Sequence, residues 1–310
     1  MAAEKAPLII AEKSEMRKWC RRMKSQGKTI GLVPTMGYLH KGHLSLVKEA
    51  RTRAHIVVVS IYVNPGQFSP NEDLSTYPSN FQADIDKLTA INVDAVFHPS
   101  NLYHYSQDAS KGNTGNQDGR VVSCVEEGGG AGHETWVRVE NLERGLCGKS
   151  RPIFFRGVAT IVAKLFNIVE PDVAVFGKKD YQQLRVLERM VRDLDFPIEI
   201  VGGEIVREED GLAMSSRNVR LSGEERGRAL SISRSLMEAR KAAENGQRKT
   251  LDLKSIVCDA IGEAGGRVDY AEIVEQESLE TMEELTSPAV FCVAAWFGNV
   301  RLVDNVEINV

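Results

Sequence analysis

The chain is poor in the features that mark secreted, zinc-stapled or membrane-spanning proteins. Its five cysteines (Cys20, Cys124, Cys147, Cys258 and Cys292) are scattered, odd in number and nowhere spaced as Cys-x-x-Cys, which speaks against a disulfide framework and a structural zinc site. No stretch approaches the ~20 consecutive apolar residues of a membrane span. The apolar run near the start, 8–11, is too short for the core of a signal peptide. A basic excess is also missing: 39 Lys and Arg stand against 43 Asp and Glu, for a net charge of −4. Nucleic-acid binding driven by counterion release from clustered cations is therefore not expected. A chain that is 42% hydrophobic and 26% charged is too apolar for global disorder. At roughly 150 residues per domain, its 310 residues suffice for two. The expectation is a cytoplasmic globular protein with neither nucleic acid nor membrane as partner.

What is present is a rhythm. Residues 8–11 and 29–34 read as strands, 14–26 as a helix with Met16, Trp19, Cys20 and Met23 on one face, and 43–53 as a second helix. The run 56–63, IVVVSIYV, is apolar without alternation, as in a parallel sheet covered on both faces by helices. A helix over 81–91, a strand at 95–98, a helix over 158–169, a strand at 173–176 and a helix over 180–194 continue the pattern. Such alternation implies right-handed βαβ units in an α/β, Rossmann-like, doubly wound parallel sheet, which binds ligands at the carboxyl ends of its strands. From about residue 206 the order changes to helices and then strands: 222–243, with Ser222 and Glu225 placed as a capping box, 251–263, then 268–274, 289–297 and 300–303. We therefore expect a catalytic domain over 1–205 and a smaller α+β domain over 206–310. The segment 106–134 is rich in Gly, Asn, Asp and Ser and has no apolar period. It reads as a surface insertion outside the chemistry.

The densest signal is Pro34-Thr35-Met36-Gly37-Tyr38-Leu39-His40-Lys41-Gly42-His43, at the end of an expected strand and the start of a helix. Gly37 permits close backbone approach and an unusual dihedral, and the helix N-terminus offers N–H groups to an anion. His40 and His43, three apart, can face the same phosphate and stabilise charge that grows on it. The alternative is two histidines satisfied at a surface helix cap. A second cluster, Phe176-Gly177-Lys178-Lys179-Asp180-Tyr181-Gln182-Gln183, again follows a strand. Its lysines are either point charges for phosphate oxygens or merely solvated, and Gln183 lies one turn beyond Lys179. A third, Met214-Ser215-Ser216-Arg217-Asn218, suits a triphosphate or is a turn between domains. Gln67, after Asn64-Pro65-Gly66, has four hydrogen-bonding positions to fill, as a turn residue or as a substrate clamp.

His40-x-Gly42-His43 resembles the signature of the nucleotidyltransferase superfamily, in which paired histidines hold ATP for attack on its α-phosphate. The full run from Pro34 to His43 resembles the pantothenate synthetase (pantoate–β-alanine ligase) family. Phe176-Gly177-x-Lys179-Asp180 with Gln182-Gln183, and Met214-Ser215-Ser216-Arg217-Asn218, match its further motifs, and together the matches cover most of the chain. The resemblance implies condensation of pantoate with β-alanine, driven by ATP with Mg²⁺, through a pantoyl adenylate, in a homodimer. It implies catalytic roles for His40, His43, Lys179 and Arg217, with His43 a proton donor. ATP would be held by Pro34, Thr35, Met36, Gly37, His40, Gly42 and His43. The second and third motifs would add Gly177, Lys178, Lys179 and Asp180, then Val206, Met214, Ser215, Ser216 and Arg217. Asn64, Gln67 and Gln183 would hold pantoate, and Asp84, in a stretch after Tyr77-Pro78 that also matches, would help to hold Mg²⁺. A nucleotidyltransferase that adenylylates a phosphate ester is the alternative, against which Gln67 and Gln183 are neutral. Two departures stand out: Cys147 where the family has Glu in Leu-Glu-Gly, and Phe154 where it often has His before Phe-Arg-Gly.

Overall fold

The computed structural model describes residues 5–69, 72–103 and 133–309. The segment read as an insertion, 106–134, lies outside the described residues as far as position 132.

Six strands form one sheet: β1 (Leu8–Ile10), β2 (Ile30–Thr35), β3 (Ile56–Ile61), β4 (Ala95–Phe97), β5 (Val173–Gly177) and β6 (Glu199–Gly203). Their order is β1-β4-β3-β2-β5-β6, and every pairing is parallel. Between them run α1 (Lys13–Ser25), α2 (Lys41–Arg53), α3 (Phe81–Ala90), α4 (Leu146–Ser150), α5 (Phe154–Val169) and α6 (Tyr181–Asp193). All six residues of β3 are buried, because both faces are covered. Val57, Val59 and Ile61 join Leu46, Val47 and Ala50 of α2 and Ile85 and Leu88 of α3 in one core. Val58 packs in another with Val158, Ile161, Val162 and Leu165 of α5. From β2 the chain first builds outward through β3 and β4, and later returns to add β5 and β6 on the other side. The strand order therefore reverses between β2 and β5, where ligands of such sheets bind.

The remainder forms a smaller C-terminal domain. An antiparallel sheet of β7 (Arg267–Glu275), β8 (Ala289–Phe297) and β9 (Val300–Ile308) packs against α7 (Gly223–Glu244) and α8 (Thr250–Glu263) around its own apolar core. The capping box at Ser222 forms as expected. Among the described residues no helix is long and apolar enough to cross a membrane.

Three of the differences from the sequence reading are instructive. Strand β6 was not anticipated, because Glu199-Ile-Val-Gly-Gly carries little strand signal. Its glycines allow close packing, and a Cβ on Gly203 would stand 2.2 Å from the Leu46 side chain of α2. Helix α5 starts at Phe154 rather than at 158. Strand β9 continues to Ile308 through Asp304 and Asn305, which read as its end. Both are buried and both are satisfied: Asp304 takes two bonds from Arg207, at 2.6 and 3.0 Å. The Asn305 amide donates to the carbonyls of Lys178 and Lys179, each at 2.9 Å. Asn305 docks the second sheet onto the turn after β5, and Asp304 ties it to the segment after β6.

Candidate active site

At the end of β2 the chain turns through Gly37 (φ 83°) and Tyr38 (φ 52°), both left-handed. Thr35 Oγ1 accepts from Gly37 N at 3.2 Å and donates to the Ser60 carbonyl at 2.8 Å. The turn's main anchor is Asp84, on the first turn of α3 and 1% exposed. Its carboxylate accepts the Tyr38 and Leu39 amides at 2.8 and 2.7 Å. Asp84, expected as a Mg²⁺ ligand, thus has both oxygens committed to backbone and is not among the cavity-lining residues. Asp84→Asn would set an amide N–H against a backbone N–H, at a cost of about 1–3 kcal/mol. The expected result is a lower melting temperature with the Mg²⁺ concentration for half-maximal activity unchanged. The reverse pattern in melting and Mg²⁺ titration would restore the metal role.

His40 caps α2. Its Nδ1 accepts from Gly42 N at 3.1 Å, and His43 Nδ1 accepts from His40 N at 3.3 Å. With Nδ1 an acceptor in each ring, the neutral tautomer carries its proton on Nε2, and both rings line the cavity. Burial, helped by His40, Lys179 and Lys87, holds His43 well below the ordinary histidine range. Burial and then Lys179 bring His40 down to about 4, against the opposing pull of Glu208. In the free protein both rings are therefore held as neutral N–H donors.

A histidine whose folded pKa lies below its unfolded value costs stability as pH falls, because the unfolded chain takes the proton first. For His40 the window runs from about 6.5 down to about 4. The protein should lose about 2 kcal/mol between pH 7 and 5 from this group alone. His40→Asn, which keeps an acceptor for Gly42 N, should flatten that part of the urea-midpoint profile. An unchanged slope would show that the ring titrates normally.

After β5, Lys178–Asp180 form a short turn before α6. Lys179 lines the cavity with its Nζ 3.3 Å from the Asp180 carboxylate. Lys178, also expected at ATP, is not among the lining residues and pairs with Glu204 and Glu307 at 2.7 and 3.2 Å. Gln183 faces the cavity. Its neighbour Gln182 bonds the Leu142 and Gly145 carbonyls and Cys147 N, fixing the loop that leads into α4.

Ser215 caps the short helical turn Ser216–Arg220. Arg217 makes a two-pronged pair with Asp73, and Ser216 Oγ lies 2.9 Å from Tyr77 Oη. Asn64 is buried and fully engaged, with Gln67 Oε1 at 2.8 Å, Tyr103 Oη at 2.6 Å and the Gly157 carbonyl at 3.2 Å. It therefore orients Gln67, whose amide nitrogen donates to Met36 Sδ at 3.4 Å.

One cavity collects Pro34, Thr35, Met36, His40, Gly42, His43, Asn64, Gln67, Gly177, Lys179, Asp180, Gln183, Val206, Met214, Ser215, Ser216 and Arg217. Gly37, Lys178 and Asp84 are the expected site residues left out of its lining. Gly37 shapes the turn, and a Cβ there would stand 3.1 Å from Ile61 and 3.2 Å from Asp84. Residues unassigned from sequence join the lining: Ser60, Tyr62, Tyr77, Arg151, and the α5 wall of Phe154, Val158, Ile161, Val162 and Leu165. Ser60 Oγ is buried without a hydrogen-bond partner. The signal for it was a lone hydroxyl near the carboxyl end of an otherwise apolar strand. Phe154 carries the Arg151 guanidinium 3.7 Å above its ring. The cavity's carboxylates are Asp180 and Glu204. Among the described residues no group of three or more His, Cys, Asp or Glu converges on a point where a metal ion would sit.

The fold and this cavity place the chain among Rossmann-like α/β enzymes, whose ligand sites lie where the strand order reverses. Within that class it belongs to the pantoate-beta-alanine ligase family, whose sequence model matches residues 8–307. It is 65% identical over 307 residues to the pantoate–beta-alanine ligase of Arabidopsis thaliana, covering 98% of this chain and 99% of that protein. The crystal structure of pantothenate synthetase from Thermus thermophilus is similar with a TM-score of 0.83 and 39% identity, over 98% of this chain and 100% of that one. The Francisella tularensis pantoate-beta-alanine ligase, complexed with beta-gamma ATP and beta-alanine, matches with a TM-score of 0.75 and 29% identity, over 97% of each chain.

Proposed function

We propose that the protein joins pantoate to β-alanine at the expense of ATP, giving pantothenate, AMP and pyrophosphate through a pantoyl adenylate. The observation that carries this reading is that one cavity is lined by two kinds of group. His40, His43, Lys179 and Ser215–Arg217 suit a triphosphate. Gln67, Gln183, Ser60 and the apolar α5 residues suit a hydroxy acid with a branched hydrocarbon body. Neutral amides fit that acid better than a second phosphate ester, which disfavours a dinucleotide-forming activity.

A carboxylate cannot be attacked by an amine at neutral pH, because an oxide would have to leave. In the proposed first step a pantoate carboxylate oxygen forms a bond to the α-phosphorus, and the bond from that phosphorus to the bridging oxygen breaks, releasing pyrophosphate. The neutral amine of β-alanine then forms a bond to the acyl carbon, the acyl–phosphate C–O bond breaks, AMP leaves, and the amine proton passes to solvent. The His40 and His43 Nε2–H groups and the Lys179 ammonium would stabilise charge on the phosphates from fixed positions, without covalent catalysis. Mg²⁺ would arrive with the triphosphate, and no step is assigned to it. The superfamily signature His-x-Gly-His, the division at 205/206, closure of 206–310 over the adenylate and a homodimer belong to the same proposal.

The test is exchange of labelled pyrophosphate into ATP with pantoate present and β-alanine absent. Pantoate-dependent exchange is expected. Its absence, with β-alanine-dependent AMP formation intact, would rule out a free adenylate step. Gln67→Ala should raise the pantoate KM about tenfold or more, from one lost hydrogen bond to a charged or buried polar group, while the ATP KM stays within twofold. A shifted ATP KM instead would move Gln67 out of the acid site.

A further inference from the structure

Arg217 lines the cavity and is the guanidinium proposed above to meet the triphosphate, yet it does not stand free. Its Nε and Nη2 donate to the two oxygens of Asp73, each at 3.0 Å, and its plane lies 5.5 Å from the centre of the Tyr77 ring. Asp73 belongs to the stretch 72–77 of the first domain, and Arg217 to the turn that precedes α7. Arg220 Nη1 reaches the same carboxylate at 2.6 Å, and its other nitrogen reaches the Thr76 carbonyl. Tyr77 Oη and Ser216 Oγ meet at 2.9 Å a few residues away. Tyr77, Ser216 and Arg217 line the cavity, whereas Asp73 and Arg220 do not.

We infer that Asp73 is a positioning residue for ATP, acting through Arg217, an inference that rests on the triphosphate role proposed for that arginine. A guanidinium presents two edges suited to paired acceptors. Asp73 takes the Nε–Nη2 edge, and Nη1 has no hydrogen-bond partner among the described residues. Fixing one edge sets the plane of the group and aims the other at the cavity. It also removes rotamer freedom that a free arginine would lose only when ATP binds. Two guanidiniums share the one carboxylate, so net positive charge remains at this edge of the cavity. Burial alone would raise the Asp73 carboxyl, but the bonds and charge of Arg217, with that of Arg220, hold it below the usual carboxylate range. The hold therefore persists across neutral pH.

The alternative is that the contact merely ties two segments together. Arg220 separates the two roles, because it ties the same segments and is absent from the cavity lining. The experiment measures kcat, the KM for ATP and for pantoate, and melting temperature for Asp73→Asn, Arg220→Gln, Arg217→Gln and the Asp73→Asn/Arg217→Gln double variant. Asp73→Asn should raise the ATP KM about tenfold, the size of one lost charge-assisted bond, with the pantoate KM within twofold. Arg220→Gln should lower the melting temperature and leave the ATP KM within about threefold. The double variant should match Arg217→Gln alone, since Asp73 has nothing left to orient. Equal ATP effects from Asp73→Asn and Arg220→Gln, or losses that multiply in the double variant, would overturn the inference. Arg217→Gln with unchanged kinetics would instead remove the triphosphate role of Arg217 itself. If Asp73→Asn does not fold, Asp73→Glu keeps the charge but shifts the carboxylate by one methylene. The same ATP-selective rise in KM is expected, and its absence counts against positioning.

Discussion

His43→Asn is expected to slow adenylate formation by about 10²–10³-fold, the usual loss when one preorganised donor to a developing anion is removed. Asparagine makes this a test of the chemistry rather than of the helix start. Its side-chain oxygen can occupy the place of imidazole Nδ1, which accepts His40 N at 3.3 Å, so the cap survives. It cannot extend a donor to the place of Nε2. His43→Gln is the complement, since its amide nitrogen reaches near the Nε2 position while the acceptor for His40 N is lost. The expected pattern is therefore crossed: Asn melts close to the parent and is nearly inactive, whereas Gln melts lower and keeps more activity. Because the buried ring is neutral in the free protein, loss of a positive charge contributes little to either effect. Single-turnover release of pyrophosphate with pantoate present separates this step from product release. Parental rates in the Asn variant would take His43 out of the reaction.

What the sequence disclosed and what it hid follow from the range of the interactions involved. Strand β3 and the turn after β2 were legible because IVVVSIYV and the Pro34–His43 run carry their meaning within a few residues. Gln67 and Gln183 were legible as candidates by chemical type. The turn-anchoring role of Asp84 was hidden because a carboxylate in the first turn of a helix has many uses. Its actual partners, the Tyr38 and Leu39 amides, lie 46 and 45 positions away. Asp304 and Asn305 looked like the end of a strand because charge and amide usually leave the core there. Only Arg207 and the Lys178–Lys179 carbonyls explain their burial. The apolar α5 wall of the cavity was read only as a helix, since a residue that faces a substrate and one that faces a neighbouring strand look alike in sequence. The division of labour between adjacent lysines was equally hidden, and it yields the second large expected effect.

Lys179→Met should lower kcat/KM for ATP by about 10²-fold or more, whereas Lys178→Met should change it no more than severalfold. Both replacements keep the stem and remove the ammonium. In a water-poor cavity one cation beside an anion is worth far more than in solvent, and Lys179 is the one in that position. Lys178 is spent on Glu204 and Glu307, a partly exposed pair whose loss acts on stability more than on turnover. The Lys179 variant carries a second signature. Its charge is among the causes that hold His40 and His43 below the ordinary histidine range, so its removal lets both rings take a proton at higher pH. Burial remains and still keeps them low. The acid limb of the kcat/KM profile should accordingly move to higher pH in Lys179→Met and stay in place in Lys178→Met. A rate loss without that movement would mean that Lys179 meets the phosphates but not the histidines. Equal losses from the two lysines would mean that the turn at Lys178–Asp180 is rebuilt when ATP binds, and the assignment of either side chain would have to be made again in the complex.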